Sequence, residues 1–302
     1  MPEKAPALSV IMRTKNSAGV VEQALAALFS QEHRDFELLV VDSGSTDRTL
    51  EIVRAYPCRL IEIAARDYYP GAVLNRAIEA TTGDLLVFQN SDAAPLSPRA
   101  LGDLVGAFAD PEVQAAFGRQ LPRPEAHTWV RRDYEVSFPD APRAPDWMPY
   151  ALPFAAMRRS AWNEHPFYSE AWGSEDTEWG YWARRQGRRI AYVASAVVMH
   201  SHNYTLRQLY GRRFIEGEAD AFIHADRLSA ARMLWRFALA AARDVPYHLG
   251  CRDLPGLLRI PARRGVYHWA YYRGHKLGER RRRRGDKDAS VGQSVVLDSY
   301  DR

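Results

Sequence analysis

Cysteine is scarce: two in 302 residues, Cys58 and Cys251, far apart and matching no metal-site spacing. Two isolated thiols fit a reducing compartment and exclude a small fold held by disulfides. No apolar run approaches the roughly twenty residues a membrane-crossing helix needs. The opening MPEKAPALSV carries no apolar stretch of signal-peptide length, so a cytoplasmic protein is expected. Three chemical signatures are also missing. Without GxGxxG after the first strand, or GxxxxGKS/T anywhere, neither dinucleotide nor P-loop ATP binding is supported, and without GxSxG there is no nucleophile elbow. Internal repeats are absent. Excess charge is small, +4, and no nucleic-acid partner is expected. The distribution of charge is less even, since Arg280 to Arg284 form an unbroken basic run.

What is present is an alternation. A 46% hydrophobic, 26% charged composition suits a soluble protein with a sizeable core. Ala7 to Met12 reads as a strand, followed by a helix that Ser17 can cap and that runs to about Ser30. Phe36 to Val41 is a second strand, Thr49 to Ala55 a helix, Arg59 to Ile63 a third strand and Gly71 to Thr81 a helix. Leu85 to Phe88 then forms a strand apolar on both faces. Four strands and three helices in strict alternation predict a mostly parallel α/β sheet, doubly wound with right-handed crossovers. Further on, helices are expected at 101–109 and 176–185, and strands at 113–117, 154–157 and 190–199. Seven prolines between 121 and 153 predict a long irregular segment. From Thr205 the chain reads as helical, and its last dozen residues as a disordered tail.

Polar clusters close three of the first four strands: Arg13 to Asn16, Asp42 to Asp47, and Gln89 to Asp92. Open parallel sheets bind ligands at the carboxyl ends of their strands, so these tips predict a site. Asn90 and Asp92, two apart, turn to one side of an extended chain. A carboxylate beside an amide oxygen suits Mg²⁺ or Mn²⁺, ions that take substrate phosphates as further ligands. With Thr14, Asn16, Asp42, Ser43, Ser45 and Asp47 on the other tips, the pattern favours a nucleotide whose diphosphate is neutralised by metal. The plainer alternative is a set of turns and helix caps.

SVIMRTKN, VVDSGSTDRT, LNRAIEATTGDLLVFQNSDA and the GSED of Gly173 to Asp176 stand in an order that resembles glycosyltransferase family 2, over about residues 7 to 203. The family implies an inverting, GT-A-type, Rossmann-like fold that binds a nucleoside-diphosphate sugar. Carried onto this chain, Thr14, Asn16, Asp42 and Ser43 hold the nucleoside, and Asn75 and Arg76 lie near the diphosphate. The family's DxD falls on Asn90-Ser91-Asp92, where asparagine replaces the first aspartate, so Asp92 becomes the main metal ligand with Asn90 beside it. A histidine near the last strand often completes the metal shell, which points to His200 first and His202 second. Single displacement at a sugar carbon requires a base for the acceptor hydroxyl; Asp176 matches the family's base, with Glu175 beside it to hold the acceptor. HSHNYTLRQLYGRRFIEG and Gly118-Arg119-Gln120 resemble the rhamnosyltransferase-like branch, which adds Arg119, and less firmly Arg207, Arg212 and Arg213, around the diphosphate. The processive QxxRW is absent at Gln186 to Ile190, which argues for adding a single sugar.

The resemblance divides the chain into a catalytic domain at 1–204 (nucleotide-sugar half about 7–117, acceptor half about 118–204), a helical extension at 205–285 and a tail at 286–302. The expected reaction is transfer of one hexose, such as rhamnose, to a glycan or lipid-linked acceptor. The alternatives are a sugar-nucleotide-binding domain with weak catalysis, or a nucleotidyltransferase. Arg232, Trp235, Arg236, Trp269, Tyr271 and Tyr272 join the basic run in suggesting an anionic membrane surface as partner through 229–284, with the protein peripheral at the inner face of the cell membrane.

Overall fold

The computed structural model describes residues 8–300; Ala7 and the last two residues of the expected tail lie outside them. The chain divides into two units. The first comprises residues up to Pro124, Tyr134–Phe167 and Asp176–Ser201; the second comprises Glu125–Asp133, Tyr168–Glu175 and the chain from His202.

The first unit follows the predicted alternation: β1 (Leu8–Thr14), α1 (Val21–Phe29), β2 (Phe36–Asp42), α2 (Thr49–Arg54), β3 (Arg59–Glu62), α3 (Pro70–Glu79) and β4 (Leu85–Gln89). After it come β5 (Ala94–Pro95), α4 (Ala100–Gly106), β6 (Val113–Leu121), α5 (Thr128–Ser137), β7 (Phe154–Arg158), α6 (Arg159–Glu164), α7 (Glu175–Arg185) and β8 (Arg189–Met199). Thr128 to Asp133 of α5 and Glu175 of α7 fall in the second unit. The eight strands form one sheet in the order β3-β2-β1-β4-β7-β6-β8-β5. β1 pairs in parallel with β2 and β4, β2 with β3, and β6 with β8. β7 is antiparallel to both its neighbours, as is β5 to β8.

Successive residues of the central strands enter opposite cores, as a pleated strand covered on both faces requires. Val10, Leu38, Val40, Leu85 and Val87 pack with Leu25, Leu28 and Leu101 of α1 and α4. Ile11, Leu39, Val41, Leu86 and Phe88 pack with Leu74 and Ile78 of α3 and with Trp162 and Trp179 of α6 and α7. Two differences from the sequence reading concern the proline-rich segment. Its proline-free stretch forms α5, and its last part, 149–153, is pinned under α7, where a Cβ on Gly180 would lie 2.8 Å from the Pro149 Cβ.

The second unit holds α8 (Leu206–Ile223), α9 (Ala230–Gly250), α10 (Leu254–Arg284) and α11 (Ser290–Tyr300). Thr205 and Gln208 form a reciprocal capping box that starts α8. Helices α8 and α10 approach through glycine: a Cβ on Gly274 would run into the Phe214 carbonyl oxygen, and one on Gly217 into that of Tyr271. The expected disordered tail is instead helical in α11. Asp288 caps it by accepting from the Ser290 amide and hydroxyl, both at 2.9 Å, and Ala289 and Val296 are buried. Nor is the basic run a uniform solvated face, because Arg281 is buried and pairs with buried Glu218 at 2.5 Å.

Candidate active site

Hydrogen bonds stitch the three polar strand tips together. Thr14 Oγ1 donates to Asp42 Oδ2 at 2.8 Å, and the Ser43 amide donates to the Thr14 carbonyl at 3.0 Å. The Asn16 amide donates to Ser45 Oγ at 2.8 Å, while its side-chain oxygen accepts from the Thr46 amide at 2.8 Å. Asn16 has φ +47°, a left-handed conformation that asparagine tolerates better than most residues. Buried Asp42 also accepts from the Gly44 and Ser45 amides and the Ser45 hydroxyl, so it organises the second tip. Asp47 acts as a cap, accepting from Thr49 and from the Ala18 amide. Ser17 and Ser91 hydroxyls meet at 2.9 Å, tying the first tip to the third.

At the third tip Asp92 Oδ1 lies 3.6 Å from His200 Nε2. Two ligands bound at about 2.1 Å to one ion sit roughly 3.0–3.5 Å apart, so the spacing fits a shared cation after a small adjustment. Asp92, His200 and His202 offer ligand atoms within 4.8 Å of one another. Carboxylate with imidazole suits Mn²⁺ better than Mg²⁺, which prefers oxygen alone. His200 Nδ1 lies 2.8 Å from Gln120 Oε1, which can only accept; with Nδ1 donating there, a neutral imidazole would turn its Nε2 lone pair towards Asp92 and a cation between them. The Tyr134 hydroxyl stands 3.1 Å from the same Nδ1. Arg123 Nη2 donates to the Asp92 carbonyl at 2.8 Å, fixing that backbone beside a positive charge.

Asp176 reaches the same tip through one short segment. The Asn90 amide donates to the Pro153 carbonyl at 3.0 Å, and the next amide back, that of Leu152, donates to Asp176 Oδ2 at 3.3 Å. The Thr177 amide donates to Oδ1 at 2.7 Å. The Thr177 hydroxyl adds a longer bond to the same Oδ1 at 3.4 Å, and together these bonds orient the Asp176 carboxylate. Gly173 and Ser174 take φ of +121° and +60° just before α7, and the serine pays for that turn with a strain of order 1–3 kcal/mol. Burial, and secondarily the charge of Asp176, push the Tyr150 phenol well above its ordinary range, so it stays neutral beneath the carboxylate.

The remaining expected residues fall into distinct settings. Asn75 accepts from Trp162 Nε1 and the Phe167 amide, both at 2.9 Å, and donates to the Phe167 carbonyl at 2.8 Å, so its amide braces the 162–167 turn. Arg76 lines a cavity of about 430 Å³ with Asp67, Ile61 and Val73, beside the ends of β2 and β3. Arg119 pairs with Asp140 at 2.8 Å. Glu175 is buried as the first residue of α7. Arg213, expected less firmly around the diphosphate, lies 3.8 Å over the Tyr267 ring and pairs with Glu216, which also holds Arg212. From sequence, Gln120 was named only within the Gly118-Arg119-Gln120 segment and given no role, and Tyr134 and Arg123 were not named. Gln120 was legible as the polar end of a strand, whereas Tyr134 sat inside the stretch read as irregular.

The description "Glycosyl transferase family 2" matches residues 9–173, more than half of the chain. The O-antigen chain rhamnosyltransferase RfbN of Salmonella typhimurium is 30% identical over 223 residues, covering 70% of this chain and 71% of that protein. WbaN of Salmonella anatum, also an O-antigen chain rhamnosyltransferase, is 30% identical over 231 residues with the same shares. Among solved structures, the mannosyltransferase PcManGT from Pyrobaculum calidifontis, in complex with GDP-Man and Mn²⁺, gives a TM-score of 0.62. Its identity is 19%, over 92% of this chain and 88% of that one. Glucosyl-3-phosphoglycerate synthase from Mycobacterium tuberculosis, in complex with Mn²⁺, UDP-Glc and phosphoglyceric acid, gives 0.55 at 23% identity over 73% and 80%. These likenesses establish the GT-A fold.

Proposed function

We propose, from the premise that this chain belongs to glycosyl transferase family 2, that it transfers one sugar from a nucleoside-diphosphate donor to a hydroxyl of a glycan or lipid-linked acceptor, with inversion. That it is a glycosyltransferase follows from the family match and its rhamnosyltransferase relatives; rhamnose, or another hexose, is the sugar those relatives favour. The reaction would occur in the cytoplasm at the inner face of the membrane. The observation that carries the reading is the 152–153 segment, which joins the Asn90–Asp92 tip to the Asp176 carboxylate through adjacent residues.

Thr14, Asn16, Asp42 and Ser43 would hold the nucleoside, and Asn90, Ser91, Arg76 and Arg119 would flank the diphosphate, with Asn75 bracing the helix that carries Arg76. Asp92, His200 and His202, with Asn90 beside them, would hold Mn²⁺ or Mg²⁺, which when bound neutralises the departing diphosphate. Asp176 would take the proton of the acceptor hydroxyl while that oxygen bonds to the anomeric carbon and the bond from that carbon to the diphosphate oxygen breaks. Attack from the face opposite the leaving group inverts the anomeric centre. Glu175 would position the acceptor.

The test is transfer from a panel of nucleoside-diphosphate sugars with Mn²⁺, comparing the parent with Asp176→Asn. Loss of a general base lowers turnover by about 10²–10⁴, and calorimetric donor affinity should be unchanged. Equal turnover in the variant removes Asp176 from the base role, and a product of retained configuration removes inversion. Asn90, standing where an aspartate is usual, favours a second reading as a sugar-nucleotide-binding domain. Tight donor binding without product from any acceptor would support it.

A further inference from the structure

We propose that the outer face of α9, continued by the first turns of α10, is a docking surface for an anionic phospholipid bilayer. At about 100° per residue, the residues of α9 fall into three sectors. Buried Met233, Asp244 and His248 face the second unit's interior. Next to them, within an arc of about 120°, lie Leu234, Trp235, Ala238, Ala242, Val245 and Leu249, all exposed. Leu234 and Trp235 are 59% and 64% exposed. A third sector carries Arg232, Arg236 and Arg243 along one edge of that stripe. A surface helix normally turns polar residues to solvent; this one turns apolar residues outward over about 22 Å. Past the 251–253 turn, α10 opens on two further exposed leucines, Leu254 and Leu258, the latter 83% exposed, with exposed Arg259 beside them in the chain.

The charge on this surface selects the occupant. Between Ala230 and His275 there are eight arginines and two aspartates. Neither aspartate is available: Asp244 is buried and paired with Arg264 at 2.6 Å, and Asp253 caps α10 and meets His248 at 3.0 Å. Just before α9, Asp226 lies 3.8 Å from Arg232, so the edge is arginine-rich with a single acid beside it. A second copy meeting this face with the same face would bring mostly arginine, whereas a bilayer of anionic lipids supplies acyl chains for the stripe and headgroup phosphates for its arginine edge. Among the described residues no helix is long and apolar enough to cross a membrane, and the arginine edge suits a helix lying in the interface. Buried Arg281 removes the centre of the 280–284 run from this surface. The inference gives the membrane clause of the proposed function a specific face, and it rests on that reading only for the acceptor's location.

The test is co-sedimentation of the full chain with vesicles of phosphatidylcholine alone and of phosphatidylcholine mixed with phosphatidylglycerol. The parent should bind the mixed vesicles, more weakly as salt rises, with a blue shift of tryptophan emission. Leu234→Ser with Trp235→Ser should weaken binding at least about a hundredfold. Replacing Arg232, Arg236 and Arg243 by glutamine should cost about fivefold per arginine and erase the preference for anionic lipid. Leu234, Trp235, Arg232 and Arg243 are exposed and Arg236 is half-buried, and the variants should keep the parent's circular dichroism. A parent that ignores anionic vesicles overturns the proposal. So does a Leu234/Trp235 variant that binds as the parent does, or a self-association that these substitutions dissolve while vesicle binding is absent. Vesicle binding without transfer to any soluble or lipid acceptor would sink the proposed reaction and leave this surface standing; transfer without vesicle binding would do the reverse.

Discussion

Gln120→Leu isolates the hydrogen bond behind the cation site. Gln120 and His200 are both buried, and the 2.8 Å contact from Nδ1 to Oε1 decides which imidazole nitrogen carries the proton. Removing the acceptor leaves a buried N–H that costs about 1–3 kcal/mol if nothing replaces it. Something nearby can replace it, because the Tyr134 hydroxyl lies 3.1 Å from the same nitrogen. The single substitution should therefore weaken Mn²⁺ binding about tenfold, the low end for loss of such a support, and Gln120→Leu with Tyr134→Phe about a hundredfold. Gln120→Glu keeps an acceptor and should stay close to the parent. Mn²⁺ titration followed by electron paramagnetic resonance of the free ion reads these constants without turnover. A double variant that binds Mn²⁺ within twofold of the parent would refute the reasoning, because His200 would then need no external hold on its tautomer.

Gly274→Ala places a methyl group against the Phe214 carbonyl and should force α8 and α10 apart, costing about 1–3 kcal/mol in thermal unfolding. The control, Gly265→Ala in the same helix, meets nothing within 4 Å and should gain up to about 1 kcal/mol; equal unfolding of Gly274→Ala and the parent would deny the close approach. His268 is held down from 6.5 to about 4 by burial and then by Arg213, Arg264 and Arg236. Its imidazole is neutral in the folded chain at pH values where the unfolded chain already takes a proton. Stability is therefore unaffected above about pH 6.5 and falls as pH drops from there towards 4. His268→Phe should flatten that part of the stability profile measured by urea unfolding, and an unaltered slope would place the titration elsewhere.

The parts of this molecule that could be read from sequence are those whose physics is local. β1, β2 and β4 announced themselves because a strand covered on both faces must be apolar at every position, and the polar residues that interrupt those runs had to stand at strand ends. In a parallel sheet such ends collect along one edge, so Thr14, Asp42 and Asn90 could be grouped before any contact was seen. Antiparallel β7 in the middle of the sheet could not be anticipated, since Phe154 to Met157 are as apolar as a parallel strand would be. Helix α5 was hidden because proline density on both sides outweighed an amphipathic but predominantly polar ten-residue stretch. The site itself divides the same way. Asp92 and His200 were found as donor atoms of a suitable kind, a property of each residue alone. Gln120 and Tyr134 matter only because the fold brings them to one nitrogen from 80 and 66 positions away, and no spacing encodes that. The outer face of α9 is the converse case: its helical period was plain in the sequence, but a period does not say which face looks inward. With Met233, Asp244 and His248 buried and Leu234 and Trp235 exposed, the helix is apolar outward as well as inward, unlike an ordinary surface helix, and an apolar partner for that face follows.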